Sequence, residues 1–128
     1  MNDLGNGWDL LVGAPLLVDG WAGKERIQKI SNKMTKDCHL CIEGPNLVVS
    51  DKKGKKVHAS IPLAGVTSAE EQALTFFGQN NVMDFPKKMT KYFAVISLDD
   101  GKDFSFLFPK DSSNSHPKQL ITTIQKSK

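Results

Sequence analysis

The sequence has no apolar run approaching the roughly 20 residues that a helix needs to cross a bilayer. The best candidate, residues 10–18, is interrupted by Gly13 and Pro15 and is preceded by acidic rather than basic residues, which is not typical of a signal peptide. Two cysteines in 128 residues do not make a disulfide framework, and this favours a reducing compartment. We therefore predict a cytoplasmic protein that associates with membranes only peripherally.

The sequence also lacks the motifs of common enzymes. It has no G-x-S-x-G motif, phosphate-binding loop or dinucleotide fingerprint, and no carboxylate pair whose spacing indicates acid–base catalysis. Cys38 and Cys41 have the C-x-x-C spacing of zinc and redox sites, but a structural zinc needs about four ligands and no second Cys or His pair is near. We predict that Cys38 and Cys41 are ordinary strand residues on opposite faces of the sheet, and that the protein has no metal, no cofactor and no enzymatic activity. The catalytic alternative is a small hydrolase or redox protein built around these two cysteines.

What the chain does contain is a series of short alternating segments. Its 128 residues, 39% of them hydrophobic, suit one domain with one core. Residues 40–63 are broken by Gly44-Pro45-Asn46 and by Lys53-Gly54, which are typical turn sequences. Between the breaks, apolar residues occupy every second position, at Leu47 and Val49 and then at Val57, Ala59 and Ile61. The pattern predicts three strands of an antiparallel meander.

The flanking segments extend this prediction. Residues 8–18 are expected to form a first strand and residues 21–31 a loop that leads into a second strand, while residues 91–98 and 103–108 form a hairpin around Asp100-Gly101. Three phenylalanines at period two on its second strand indicate core rather than a nucleic-acid stacking surface. After Pro117, the apolar stripe of Leu120, Ile121 and Ile124 predicts a short amphipathic helix that buries this stripe against the sheet.

The segment between the two halves is expected to be less regular. Residues 69–77 follow Ser68, a plausible N-cap, and are predicted to form a short helical turn. Residues 78–88 are polar and contain glycine, asparagine and proline. We therefore predict a single domain over residues 1–128 with a long insertion at about 65–90.

The charge of the chain is unevenly distributed. The net charge is only +3, but residues 24–56 hold nine Lys and Arg against four Asp and Glu, a local balance of +5. If the first loops meet at one end of a sheet, they would form a positive rim that attracts phosphates or an anionic membrane. The alternative is a set of solvated hairpin lysines without a ligand.

The order of the predicted elements resembles the pleckstrin-homology family. Within that family, Glu43-Gly44-Pro45-Asn46-Leu47, followed by Asp51 and Ile61-Pro62, is similar to the C-terminal pleckstrin-homology domain of phosphoinositide-dependent protein kinases, as is Asn114-Ser115-His116. The resemblance covers nearly the whole chain. It implies a mostly β, α+β fold: a curved antiparallel sheet or barrel of about seven strands closed by a C-terminal helix.

The resemblance also implies a ligand, with departures. Family members bind phosphoinositide head groups through a basic pair on the second strand, but Thr35 and Asp37 stand at those positions, and Lys36 lies on the opposite side if the strand is regular. The closing helix has Leu120 where tryptophan is common. We predict a non-catalytic adaptor or regulatory module that binds phosphoinositide or an anionic membrane surface weakly and does not bind nucleic acid. The alternative is a protein–protein interaction module. The head-group candidates are Lys24, Arg26, Lys36, Lys52, Lys53, Lys55, Lys56 and Lys102.

Overall fold

The computed structural model describes residues 2–13, 33–79, 86–109 and 115–127. These residues form seven strands, one short 3-10 helix at Leu63–Gly65 and one α-helix. The strands are β1 (Asn2–Val12), β2 (Thr35–Glu43), β3 (Asn46–Asp51), β4 (Val57–Pro62), β5 (Val66–Gln79), β6 (Pro86–Leu98) and β7 (Asp103–Leu107), and the helix is α1 (Ser115–Ser127).

The strands form one antiparallel sheet in the order β4-β3-β2-β1-β7-β6-β5. Strand β1 lies in the middle and pairs with β2 on one side and β7 on the other, so the two meanders share it. Its pairing with β2 shifts register on both sides of Gly5, where Gly5 and Gly7 have positive φ. The predicted mostly β fold, with seven antiparallel strands followed by a C-terminal helix, is confirmed.

The predicted turns join the expected strands. Residues 44–45 connect β2 to β3, residues 52–56 connect β3 to β4, and residues 99–102 connect β6 to β7. Gly101 has φ +87°, a conformation that glycine adopts without the steric cost of a Cβ. Turn chemistry is local, so the sequence is sufficient to place these reversals.

The predicted helical turn at residues 69–77 is wrong. These residues belong to β5, which pairs residue by residue with β6 from Ser68↔Ser97 to Gln79↔Pro86. Pairing with β6 satisfies the backbone and overrides the local helix preference of the Ala-Glu-Glu-Gln-Ala segment. The described parts of the predicted insertion at about 65–90 are therefore largely regular strand.

The first strand also differs from its prediction. It begins at Asn2 and ends at Val12, whereas residues 8–18 were expected. The early residues contain Gly5, Asn6 and Gly7, which weaken the strand pattern, but pairing with β2 keeps them in the sheet. The loop predicted at residues 21–31 lies outside the described residues.

One face of the sheet and α1 form the main core. Leu120 and Ile124 are fully buried, and Ile121, which is partly buried, packs against the same cluster. The helix packs mainly against β5 and β6, and the same cluster includes Leu47, Ile96 and Phe106 from the sheet. The predicted burial of the helix stripe is thus confirmed for Leu120 and Ile124 and is partial for Ile121.

Aromatic rings fix the start of α1 on the sheet. Trp8 is 1% exposed and meets Phe108 edge to face at a centroid distance of 5.2 Å. Phe108 in turn stacks on His116, with ring centroids 3.8 Å apart. Trp8 also donates a hydrogen bond from Nε1 to the Leu4 carbonyl, so its polar edge is satisfied within the core. A tryptophan from β1 thus supplies the large ring that the helix itself lacks.

The opposite face of the sheet is buried as well. Leu11, Met34, Phe93, Val95 and Leu107 form a second apolar cluster. Because Ala94 and Ile96 belong to the main core, the alternation along β6 places Phe93 and Val95 on the other face.

The edge strands β4 and β5 are joined by only the three residues of the 3-10 helix. At this link, the Leu63 N–H donates to the Pro45 carbonyl and the Asp99 N–H donates to the Gly65 carbonyl, each at 2.9 Å. The end of one edge strand therefore lies near the start of the other, which requires a strongly curved sheet. Within the described ranges, no helix combines the length and apolar character needed to span a membrane.

Candidate functional site

Several strand ends meet at one end of the sheet. The pair Cys38↔Asp51 brings the start of β2 beside the end of β3, and Leu10↔Thr35 adds the end of β1. On the other side of β1, Val12↔Phe104 adds the start of β7 and with it the turn at residues 99–102. We call this the lysine end of the sheet, because it carries Lys36, Lys52, Lys53, Lys55, Lys56 and Lys102.

The turn between β3 and β4 is the most basic part of this end. We call residues 52–56 the lysine turn; it holds four lysines and Gly54, and all five residues are exposed. Gly54 has φ +72° and its N–H donates to the Asp51 carbonyl at 3.0 Å. The turn is therefore ordered by backbone geometry and presents its charges to solvent.

The Asp51 carboxylate folds over this turn. Its Oδ1 accepts a hydrogen bond from the Lys55 N–H at 2.7 Å. Partial desolvation raises the pKa of Asp51, but backbone N–H groups of Lys55, Lys56 and Gly54 and the nearby His58 together lower it below its ordinary value. Asp51 is consequently ionised throughout the neutral range.

The other head-group candidates are placed less favourably. Lys102 is exposed but stands in a turn with Asp99, Asp100 and Asp103, and its Nζ lies 3.9 Å from Asp100 Oδ2. Three strand spacings of about 4.8 Å separate β3 from β7, so Lys102 is on the order of 14 Å from the lysine turn along the sheet. It shares the lysine end but lies in a negatively charged part of it. Lys24 and Arg26 lie outside the described residues.

The start of β2 is irregular at Asp37, whose negative charge would repel a phosphate at the position where the resemblance leads us to expect a basic residue. Asp37 is exposed and has φ +57°, and the pairing with β1 shifts register between Trp8↔Cys38 and Leu10↔Thr35. The Asp37 N–H donates to Asp9 Oδ1 at 3.4 Å. Because this bulge breaks the alternation of a regular strand, the sides of Lys36 and Asp37 do not follow from their sequence spacing.

A buried carboxyl lies beside this bulge. Asp9 is 8% exposed, and burial raises its pKa, while the Asp37 N–H and the charge of Lys36 offset part of the rise. Lys36 itself is exposed to solvent. Part of the electrostatic effect of Lys36 is thus directed at a group of the protein itself.

Two apolar side chains are exposed at the lysine end. Val12, at the end of β1, is 72% exposed, and Val57, which directly follows the lysine turn, is 59% exposed. They are the large hydrophobic residues that stand out to solvent in the described part of the chain. An apolar side chain beside a cluster of lysines suits contact with the interface of an anionic bilayer.

The two cysteines are unsuited to nucleophilic or redox chemistry. Cys38 is fully buried in the main core, and burial, with Asp9 and Asp37 nearby, raises its pKa to about 11. Burial and the charges of Glu43 and Asp3 also raise the pKa of Cys41. Both thiols are free and protonated at neutral pH, whereas the thiolate is the reactive form. Cys38 faces the main core with Leu40 and Ile42, which places Cys41 on the other face by alternation.

A polar cluster on β1 and β2 was missed by sequence reasoning. His39 Nε2 lies 2.9 Å from Asp3 Oδ1, and His39 Nδ1 contacts Asn6 Oδ1. The contacts span the irregular part of β1, so they fasten that segment to β2. These contacts depend on the register between β1 and β2, so the spacing of the three residues in the sequence does not predict them.

In the described ranges, no group of three His, Cys, Asp or Glu side chains could hold a metal ion. A scan against protein-family models finds no match to this chain, and a search of curated proteins finds none either.

Proposed function

We propose that this chain is a non-catalytic, pleckstrin-homology-like adaptor or regulatory module that binds an anionic membrane surface weakly and with little head-group selectivity. The observation that carries the proposal is the lysine turn: four exposed lysines on an ordered turn, directly followed by the exposed Val57. The strand order, the closing helix and the short link between the edge strands support a sheet that curls into a barrel of the pleckstrin-homology type.

The size of the effect follows from the charges. A lysine near an anionic bilayer contributes about 1 kcal/mol, so four contribute about 4 kcal/mol. That free energy corresponds to a dissociation constant of about 1 mM. Binding of this strength is reversible and requires a second membrane signal for stable attachment. Asp37 and the acidic residues around Lys102 reduce the positive potential on either side of the lysine turn. Several lysines therefore do not converge on one phosphorylated head group, and we expect little head-group selectivity.

Vesicle sedimentation tests this proposal with a matched pair of variants. Lys52→Gln with Lys53→Gln removes two charges from the lysine turn, and Lys118→Gln with Lys126→Gln removes two exposed charges from α1. With vesicles of phosphatidylcholine and phosphatidylserine at 50 mM salt, the turn variant should bind about 30-fold more weakly than the parent. The helix variant should bind nearly as the parent does. Equal losses in both would show net charge, not the turn, to be responsible.

A second candidate function is protein recognition by strand addition. It is favoured by the position of β5 at one edge of the described sheet, because an edge strand can pair with an extended peptide. Such binding depends on main-chain hydrogen bonds and resists salt, whereas binding through the lysine turn weakens steeply with salt. If the parent protein does not bind anionic vesicles at low salt, strand addition becomes the better explanation.

A further inference from the structure

The lysine turn depends on one acidic residue. Asp51 ends β3, and three hydrogen bonds connect it to the turn: its carboxylate accepts from the Lys55 N–H, its carbonyl from the Gly54 N–H, and its own N–H donates to the Lys56 carbonyl. The distances are 2.7, 3.0 and 2.9 Å. Of these, only the first involves the side chain, so only this bond depends on residue identity.

The turn has a physical need for such a bond. Four lysines within five residues repel one another, and the chain between β3 and β4 loses conformational freedom when it is held in one shape. A carboxylate that accepts a backbone N–H of the turn opposes both effects, and hydrogen bonds to a charged group are stronger than neutral ones. The lowered pKa of Asp51 agrees with this stabilisation of the ionised form.

We propose that Asp51 is a positioning residue that holds the lysine turn in the shape that meets an anionic membrane. The inference rests on the proposed function and assigns Asp51 a role opposite to that expected from its charge. Simple electrostatics treats a carboxylate among lysines as a repulsive group whose removal strengthens binding to anions. The structure assigns it instead to the ordering of the turn.

Two variants with the same charge separate these effects. Asp51→Asn and Asp51→Ala both remove the negative charge, but asparagine keeps a side-chain oxygen that can accept the Lys55 N–H. The turn and the end of β3 are at the surface, so both variants should keep the fold, which circular dichroism verifies. Loss of a single hydrogen bond of this kind changes an equilibrium constant by about 2- to 10-fold. Vesicle binding by Asp51→Ala should therefore be about 2- to 10-fold weaker than by Asp51→Asn.

The test measures the order of the lysine turn in the free protein and then the binding of the same variants to vesicles. Amide hydrogen exchange of the free proteins should show faster exchange at Lys55 in Asp51→Ala than in Asp51→Asn. Sedimentation then uses vesicles of phosphatidylcholine and phosphatidylserine at 50 mM salt. If the parent binds and the two variants bind equally, the positioning role is wrong and the proposed function stands. If the parent does not bind, both proposals are overturned.

A second perturbation covers the case in which Asp51→Ala is unstable. Gly54 has φ +72°, and an added Cβ would meet no atom within 4 Å, so Gly54→Val strains only the backbone of the turn. It leaves Asp51 and the net charge unchanged. Weaker vesicle binding by this variant supports a role for turn shape, and parent-like binding with a loosened turn contradicts it.

Discussion

The clearest quantitative prediction concerns the helix that covers the main core. Ile124 is fully buried in α1, and replacing it by alanine removes three carbon atoms from the core. At about 0.8 kcal/mol per buried methylene, the lost transfer free energy is about 2.4 kcal/mol, and the cavity left behind brings the cost to about 3 to 4 kcal/mol. For a chain of this length, the loss should lower the melting temperature by roughly 10 °C or more.

A neighbouring isoleucine provides the control. Ile121 lies in the same helix but is only partly buried, so Ile121→Ala removes the same atoms from a less buried place. Its cost should be less than half that of Ile124→Ala, as measured by urea unfolding followed by circular dichroism. Equal losses for the two variants, or parent-like unfolding of Ile124→Ala, would refute the placement of the helix.

Three further predictions address single groups. Burial raises the pKa of Asp9, so its contribution to stability falls as the pH rises above the unfolded-state value of about 4 and is fully lost above the folded-state pKa; Asp9→Asn should therefore melt higher than the parent at pH 7, with a gap that closes as the pH falls below about 4. Because the pKa of Cys38 is about 11, iodoacetamide at pH 7.5 should label Cys38 only when the protein unfolds, as followed by mass spectrometry. Asp37 has positive φ, which asparagine tolerates; Asp37→Asn should bind anionic vesicles about fivefold more tightly in sedimentation, and unchanged affinity would exclude the repulsion.

The sequence was sufficient for features that depend on neighbouring residues. The turns at residues 44–45, 52–56 and 99–102 and the helix stripe of Leu120 and Ile124 are encoded by local composition and periodicity. The extent of β1, the conversion of residues 69–77 into strand and the second buried face of β6 depend on pairing with distant strands. Such pairing is not visible in a local window, and it overrode the local helix preference in β5.

The same division applies to the candidate site. The lysine turn could be predicted because the residues that form it are consecutive. The bulge at Asp37, the buried carboxyl of Asp9 and the contacts of His39 arise from the register of β1 against β2, which the sequence does not specify. The role proposed for Asp51 also required a distance, since sequence alone shows an acidic residue before four lysines and not the bond to the Lys55 N–H.

The most direct test of the central claim is sedimentation with anionic vesicles of a variant in which Lys52, Lys53, Lys55 and Lys56 are all changed to Glu. The parent should bind anionic vesicles at 50 mM salt and lose most of that binding at 300 mM salt. It should not bind vesicles made of phosphatidylcholine alone. The variant with four glutamates in place of these lysines should keep its melting temperature and show no binding at either salt concentration. Binding by the variant equal to that of the parent, or a parent whose binding does not change with salt, would contradict the account.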